Sequence, residues 1–199
     1  MTFPDSEAIA AALSRHSPRS DEDVPAGHKA AVAWVVRDRP LGPEALFIRR
    51  AEHPRDPWSG QMGFPGGRVD PEDDSPLATA IRETREEIGL DLSAGARHLG
   101  RLSEVRTHLP PGLRPRCVVP FGFALSCDPS LTLNHEVKEV VWVPLAFFAD
   151  RANRHSFTWV RQGLPFPTPC YRFEDRVIWG LTLRMVDELV QVATGAGGG

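Results

Sequence analysis

Apolar positions along this chain repeat with two different periods. Residues 30–36, Ala-Ala-Val-Ala-Trp-Val-Val, form a nearly continuous apolar run, the pattern of a central strand buried on both faces. Residues 77–88 repeat with a helical period: Leu77, Ile81, Thr84 and Ile88 fall on one stripe, predicted to face the core. Ser75 is placed as N-cap, Pro76 fits the first helical position, and Gly89 suits the left-handed site just past the end. Residues 5–16 predict a short helix capped by Asp5 or Ser6, with Ile9, Ala12 and Leu13 inward for packing or oligomer contact. Residues 181–192 predict a closing helix whose inner stripe is Leu181, Met185, Leu189 and Val192. Further strands are expected at 45–50, 99–105, 117–125, 137–145 (running into the start of a short helix) and 155–160, with a hairpin formed by 171–173 and 177–180. Between them, 17–27 reads as a polar linker, 37–43 as a turn, 106–116 as a proline-stiffened loop with basic residues able to meet phosphates, and 164–169 as a proline-rich turn. These boundaries give an N-terminal helix and linker over 1–27, a main domain over 28–192 and a disordered glycine-rich tail over 193–199.

Composition narrows the function more than the fold. A chain of 199 residues can bury a sizeable core in one domain. The net charge of −3 argues against a nucleic-acid partner. No apolar span approaches the roughly 18 residues that a membrane helix needs, and the acidic N-terminus lacks a signal-peptide core. Cys117, Cys127 and Cys170 are odd in number and lack metal-like spacing, so they read as reduced thiols of a cytoplasmic protein. The seven histidines are scattered singly and no role is assigned to them. No internal repeat is visible, and the oligomeric state is left open.

The chemistry concentrates at the helix over 77–88. Glu83, Glu86 and Glu87 stand at i, i+3 and i+4, close neighbours away from the apolar stripe. Like charges at this spacing cost about 0.2–0.5 kcal/mol per pair. Arg82 can pair with Glu86 but cannot neutralise three carboxylates. A solvated acidic face would account for the charges alone. The upstream turn at Gly66 and Gly67 favours a different reading, because glycine lets backbone approach a ligand closely. Carboxylates plus a carbonyl make the hard-oxygen set that suits Mg²⁺ or Mn²⁺, so the residues point to a divalent metal site holding a phosphorylated substrate.

At these residues the chain resembles the Nudix hydrolase family. Arg82, Glu83, Glu86, Glu87, Gly89 and Leu90 match the family's Arg-Glu-x-x-Glu-Glu-x-Gly-aliphatic signature without a gap. Asp73 stands at the upstream acidic position, one residue further from Arg82 than usual, and Thr84 stands at an aliphatic position. The Asp70-x-x-Asp73 spacing, Gly60-Gln61, Phe64-Pro65-Gly66-Gly67 and Ile178-Trp179-Gly180-Leu181-Thr182 resemble the coenzyme A diphosphatase subgroup. Ala51 after Arg50, a loop one residue longer and Trp58 in place of histidine depart from it.

The resemblance implies an α/β fold, a mixed sheet sandwiched between helices. It implies hydrolysis of a nucleoside diphosphate linked to another moiety, with coenzyme A or an acyl derivative first. ADP-ribose or a dinucleotide, then nucleoside triphosphates, follow as substrates. A non-catalytic binding module is the remaining alternative, against which the three intact glutamates count. By the same resemblance Glu83 and Glu87 are the regular metal ligands, the carbonyl of Gly66 or Gly67 adds another, and Glu86 is a ligand or base. Arg82 orients the glutamates, and Gly66 and Gly89 shape the motif. Glu136 ranks above Glu139 as a carboxylate outside the helix, acting as ligand or general base. Arg50, Trp58 and Gln61 are the candidate substrate contacts.

Overall fold

A computed structural model describes residues 3–53, 58–107, 115–161 and 164–195. In chain order the elements are α1 (Ser6–Leu13), β1 (Lys29–Arg37), β2 (Glu44–Arg50), β3 (Met62–Gly63), β4 (Gly66–Arg68), α2 (Pro76–Ile88), α3 (Leu92–Gly95), β5 (Ala96–Arg101), β6 (Val105–Arg106), β7 (Cys117–Leu125), β8 (Val137–Pro144), α4 (Leu145–Ala149), β9 (Arg154–Arg161), β10 (Leu164–Phe173), β11 (Arg176–Trp179) and α5 (Gly180–Thr194). Strands β1 to β8 form one mixed sheet around β1. β1 runs parallel to β7 from Lys29↔Cys117 to Arg37↔Leu125 and antiparallel to β2 and β4. β8 and β3 pair with β2; β5 and β6 pair with β7.

The apolar run in β1 resolves by parity. Ala30, Trp34 and Val36 belong to one hydrophobic cluster, whereas Ala31, Ala33 and Val35 belong to another. The first cluster takes in α1 (Ile9, Leu13), α4 (Leu145, Phe148) and α5 (Leu183, Met185, Val186, Leu189); the second takes in Ala80 and Ile88 of α2. Successive side chains of a strand face opposite sides, so β1 supplies both cores at once. This is the expected α/β sandwich, with α2 on one face and α1, α4 and α5 on the other. Gly122 of β7 makes room for Trp34: a Cβ there would run into the indole ring.

Several expectations need correction. The 5–16 helix stops at Leu13; Asp5 caps it by accepting the Ala8 N–H at 2.9 Å, and Ser6 instead donates to Asp38. Ala12 is only half-buried. The strand expected over 99–105 is two strands, β5 and β6, with a break at 102–104. Leu102 turns wholly into the core there, Ser103 accepts the Arg19 N–H, and Glu104 receives that of Asp21. In α5 the buried stripe is Thr182, Leu183, Met185, Val186 and Leu189, whereas Leu181 and Val192 lie at its margins.

The proline-rich turn over 164–169 is in fact the first half of β10. Pro165, Pro167 and Pro169 pair with Val160, Thr158 and Ser156 of β9, whereas β11 reaches only Cys170 to Phe173. Along 164–169 one edge of β10 therefore has no neighbouring strand among the described residues. Proline every second residue sends all three missing donors to the same edge, and an unpaired edge is where a strand tolerates them. The 106–116 loop is closed by Thr107, which donates to the carbonyls of Arg116 and Pro115; residues 108–114 lie outside the described residues.

Candidate active site

Helix α2 is built as its sequence implies and places its carboxylates from there. Ser75 accepts the Ala78 N–H at 3.2 Å, Pro76 sits in the first turn, and Gly89 closes the helix at φ 70° with its N–H on Arg85 O. The buried stripe is rotated from the expected one. Thr79, Ala80, Thr84, Glu87 and Ile88 are buried, while Leu77 and Ile81 are half-buried. Thr84 is accommodated because its hydroxyl donates to Ala80 O at 2.7 Å. Glu87 stands seven residues after Ala80 and three after Thr84, so it falls on the buried stripe rather than on a separate acidic face.

Two glycines make room for the carboxylates. Gly66 and Gly67 lie in β4, paired with Val32 and Ala31. Gly66 adopts φ +151°, and a Cβ there would strike the Ala31 carbonyl; a Cβ on Gly67 would occupy the space of the Glu83 carboxylate. Glu83 therefore rests against bare backbone, which no other residue permits. Gly66 also donates its N–H to Glu87 Oε2 at 2.8 Å.

Glu87 is the most exacting group in the site. Its side chain is 3 % exposed, and Arg50 Nη1 approaches Oε1 only to 3.7 Å. Burial pushes its carboxyl up to about 8; the Gly66 N–H and Arg50 pull the other way, and Glu83 and Glu136 add to the rise. Burial also raises Glu83, against the pull of Arg82, with Glu86 and Glu136 again pushing upward. Glu136 thus lies near enough to both carboxylates for its charge to raise them. Its loop is strapped to the end of α2, with Thr132 N on Ile88 O and Asn134 N on Glu87 O, both at 2.9 Å. Asn134 Oδ1 accepts the Glu136 N–H at 2.8 Å, and the Glu136 carbonyl accepts from Ala51. Glu139 is engaged elsewhere, bound by Arg176 at 2.7 Å and Arg49 at 3.5 Å.

Arg82 is fixed before it meets any glutamate. Its Nε and Nη2 donate to the two oxygens of Asp73, each at 2.9 Å, and Thr79 and the Asp70 N–H complete that carboxylate. The Arg82 hydrogen bonds hold Asp73 well below the usual carboxylate range. Arg82 Nη1 then reaches Glu83 at 3.0 Å and Glu86 at 3.3 Å. Glu86 points outward, with its side chain 55 % exposed. The role of Asp73 in anchoring Arg82 was legible only as an acidic residue at a motif position; its side chain is held by Arg82 and Thr79 of α2 and by the Asp70 N–H of the turn before it.

Of the other expected residues, Arg50 reaches the site through a register shift at Arg49/Arg50 in the β2–β8 pairing. Gln61 is beside it: its carbonyl accepts the Arg50 N–H at 3.0 Å, and its own N–H donates to Trp58 O. Trp58 opens that turn, half-buried. Residues 54–57 lie outside the described residues. Among the described residues no three His, Cys, Asp or Glu side chains gather closely enough to enclose an ion by themselves. The Glu83–Glu87 pair, with bare backbone at Gly66 and Gly67, is the all-oxygen set available to a hard cation.

A NUDIX domain profile matches residues 27–162. The "Uncharacterized Nudix hydrolase NudL" of Yersinia pestis (strain Pestoides F) is 32% identical over 169 residues, covering 82% of this chain and 78% of its own. The protein of the same name from Yersinia pseudotuberculosis serotype O:1b (strain IP 31758) gives the same figures. Among solved structures, a C. elegans Ap4A hydrolase binary complex is similar with a TM-score of 0.48 and 24% identity, over 59% of this chain and 80% of that one. The NUDIX domain of Shewanella oneidensis NrtR, complexed with ADP ribose, is similar with a TM-score of 0.45 and 21% identity, over 69% of this chain and 83% of that one.

Proposed function

This chain belongs to the Nudix hydrolase family, and from that premise we propose that it hydrolyses the diphosphate bond of coenzyme A or an acyl derivative. At the coarser level it is a Nudix pyrophosphohydrolase for small nucleotide-type substrates, of a family that generally uses divalent metal ions. No helix of the described residues is long and apolar enough to cross a membrane.

The observation that carries the site assignment is the Glu83–Glu87 pair, two carboxylates on adjacent turns pressed against glycine backbone, with Arg82 at 3.0 Å from Glu83 and Arg50 at 3.7 Å from Glu87. Mg²⁺ or Mn²⁺ is the cation we assign to them, with Glu83, Glu87 and the Gly67 backbone as its holders and Glu86 at its outer margin. Bound there, the ion supplies activation of water and neutralisation of charge on the bridging oxygens. The chain's own residues do the rest. Arg82, locked by Asp73, holds Glu83; the Gly66 N–H holds Glu87. Glu136 takes the proton of the attacking water. The water oxygen bonds to one phosphorus while that phosphorus parts from the bridging oxygen. Arg50, Gln61 and Trp58 border the space into which the substrate extends.

The coenzyme A assignment rests on two stretches of sequence that meet in space. Thr182 of the Ile178–Thr182 stretch donates its hydroxyl to Met62 O at 3.0 Å, two residues before Phe64-Pro65-Gly66-Gly67. Phe64 in turn stacks on Phe47 with ring centroids 4.8 Å apart. The two parts of the subgroup resemblance thus pack against each other in the core, next to the glycine turn. The test is a panel of diphosphate substrates with Mg²⁺ and with Mn²⁺, with products separated by chromatography. Coenzyme A should yield 3′,5′-ADP and 4′-phosphopantetheine. A far higher kcat/KM for ADP-ribose, a dinucleotide or a nucleoside triphosphate would overturn the substrate assignment and leave the family untouched.

A further inference from the structure

Glu87 offers its two oxygens to different partners. Oε2 is taken by the Gly66 N–H at 2.8 Å, whereas Oε1 faces the Arg50 guanidinium at 3.7 Å. The Glu87 side chain is 3 % exposed and that of Arg50 27 % exposed, so the pair lies at the mouth of the site with the cation on the solvent side. The backbone holds Arg50 there from three directions. Its N–H is tied to Gln61 O, the next residue binds the Glu136 carbonyl, and the register shift at Arg49/Arg50 breaks the regular alternation of β2. Arg49, its neighbour, is turned to Glu139 and Asp175 instead. The distance is too long for a direct hydrogen bond but short for two opposite charges. Arg50 is therefore a positive charge parked before the one carboxylate oxygen that the backbone leaves open.

We infer that Arg50 is a built-in counter-ion of Glu87 that competes with the divalent cation for Oε1 and so sets the cation affinity of the site. This rests on the metal-site reading above. In the cation-free protein the guanidinium offsets part of the buried charge. When a divalent ion occupies the site, two positive groups oppose each other across Glu87, and affinity is lower than the carboxylates alone would give. A strand-borne arginine with its charge on a long stem can swing out without moving the backbone that holds it.

The test is Mg²⁺ binding by calorimetry, without substrate and at alkaline pH so that the glutamates are ionised in every variant. Arg50→Gln should tighten the Kd by at least about fivefold, the lower end of ordinary coupling between two charges sharing a site. Arg50→Lys, which keeps the charge, should stay within about twofold of the wild type. In a Glu87→Gln background, removing Arg50 should give no tightening. Unchanged or weaker binding in Arg50→Gln, with Arg50→Lys folded and binding as wild type, would overturn the counter-ion assignment while leaving the metal site standing. Failure of the wild type to bind Mg²⁺ or Mn²⁺ would overturn the metal-site reading itself.

Discussion

Two buried carboxylates in this protein have opposite fates. Glu104, in the break between β5 and β6, has a side chain 8 % exposed, and Glu87 in α2 has one 3 % exposed. Burial pushes both upward. At Glu104 that rise is outweighed: Lys29 Nζ donates to both oxygens at 2.8 and 2.9 Å, and the Asp21 N–H and the Cys117 thiol add to it, so its net shift is downward. At Glu87 one N–H and one arginine at 3.7 Å do not suffice, and the carboxyl stays raised. A carboxylate that serves only the fold is compensated by its own chain. One left short of compensation is poised for a charge from outside. The same contrast separates Glu136, whose charge acts on Glu83 and Glu87, from Glu139, which Arg176 and Arg49 engage.

The sharpest way to break the contrast is through that second pair. Glu136→Gln should lower kcat by about 10²–10⁴ if it is the base, with little change in cation affinity. Glu139→Gln should leave kcat nearly intact; a larger loss there would reverse the assignment. Next come the ligands. Glu83→Gln and Glu87→Gln should each reduce kcat by about 10²–10³, the scale for losing one key electrostatic group. In chelator Glu87→Gln should melt no lower than the wild type, because burial opposes ionisation of this carboxyl more than its partners favour it.

Glu104→Gln should do the reverse. It leaves Lys29 buried without its partner and should cost about 3 kcal/mol, the lower end for breaking a buried pair, while the folded enzyme keeps its kcat. Denaturant unfolding measures the first and steady-state kinetics the second. The sign with pH follows from the downward shift. Glu104 contributes stability that is present above its unfolded value of 4.5 and is lost as pH falls through its lower folded value. Wild type should therefore lose more stability on acidification than Glu104→Gln does. Adding Mg²⁺ at a hundred times its Kd should raise stability by about 2.7 kcal/mol, roughly 5–10 °C in Tm for a chain of this size. That gain should vanish in Glu87→Gln and persist in Glu104→Gln.

Much of this molecule was set by sequence that acts over short range. The α2 caps at Ser75, Pro76 and Gly89 depend on a residue's own torsions and nearest neighbours, so they could be read directly. The same holds for β7, whose bounds 117–125 are the ones expected, and for β1, β2 and β8 to within a residue. The Arg-Glu-x-x-Glu-Glu-x-Gly signature likewise fixes which residues stand on adjacent turns of one helix. What the tertiary structure decided were matters of which neighbour comes from far along the chain. Prolines 165, 167 and 169 look like a turn until β9 is found on one side and, among the described residues, no strand on the other. Glu87 looks like part of a solvated acidic face until β4 covers it, with Gly66 twenty-one residues upstream donating to its carboxylate. Arg50 and Glu136 reach that carboxylate from β2 and from the loop before β8, elements that only the sheet brings to the end of α2. A linear pattern records the period of each element, but the electrostatic state of a buried group depends on burial and on the charges packed around it, and those exist only once the chain has closed.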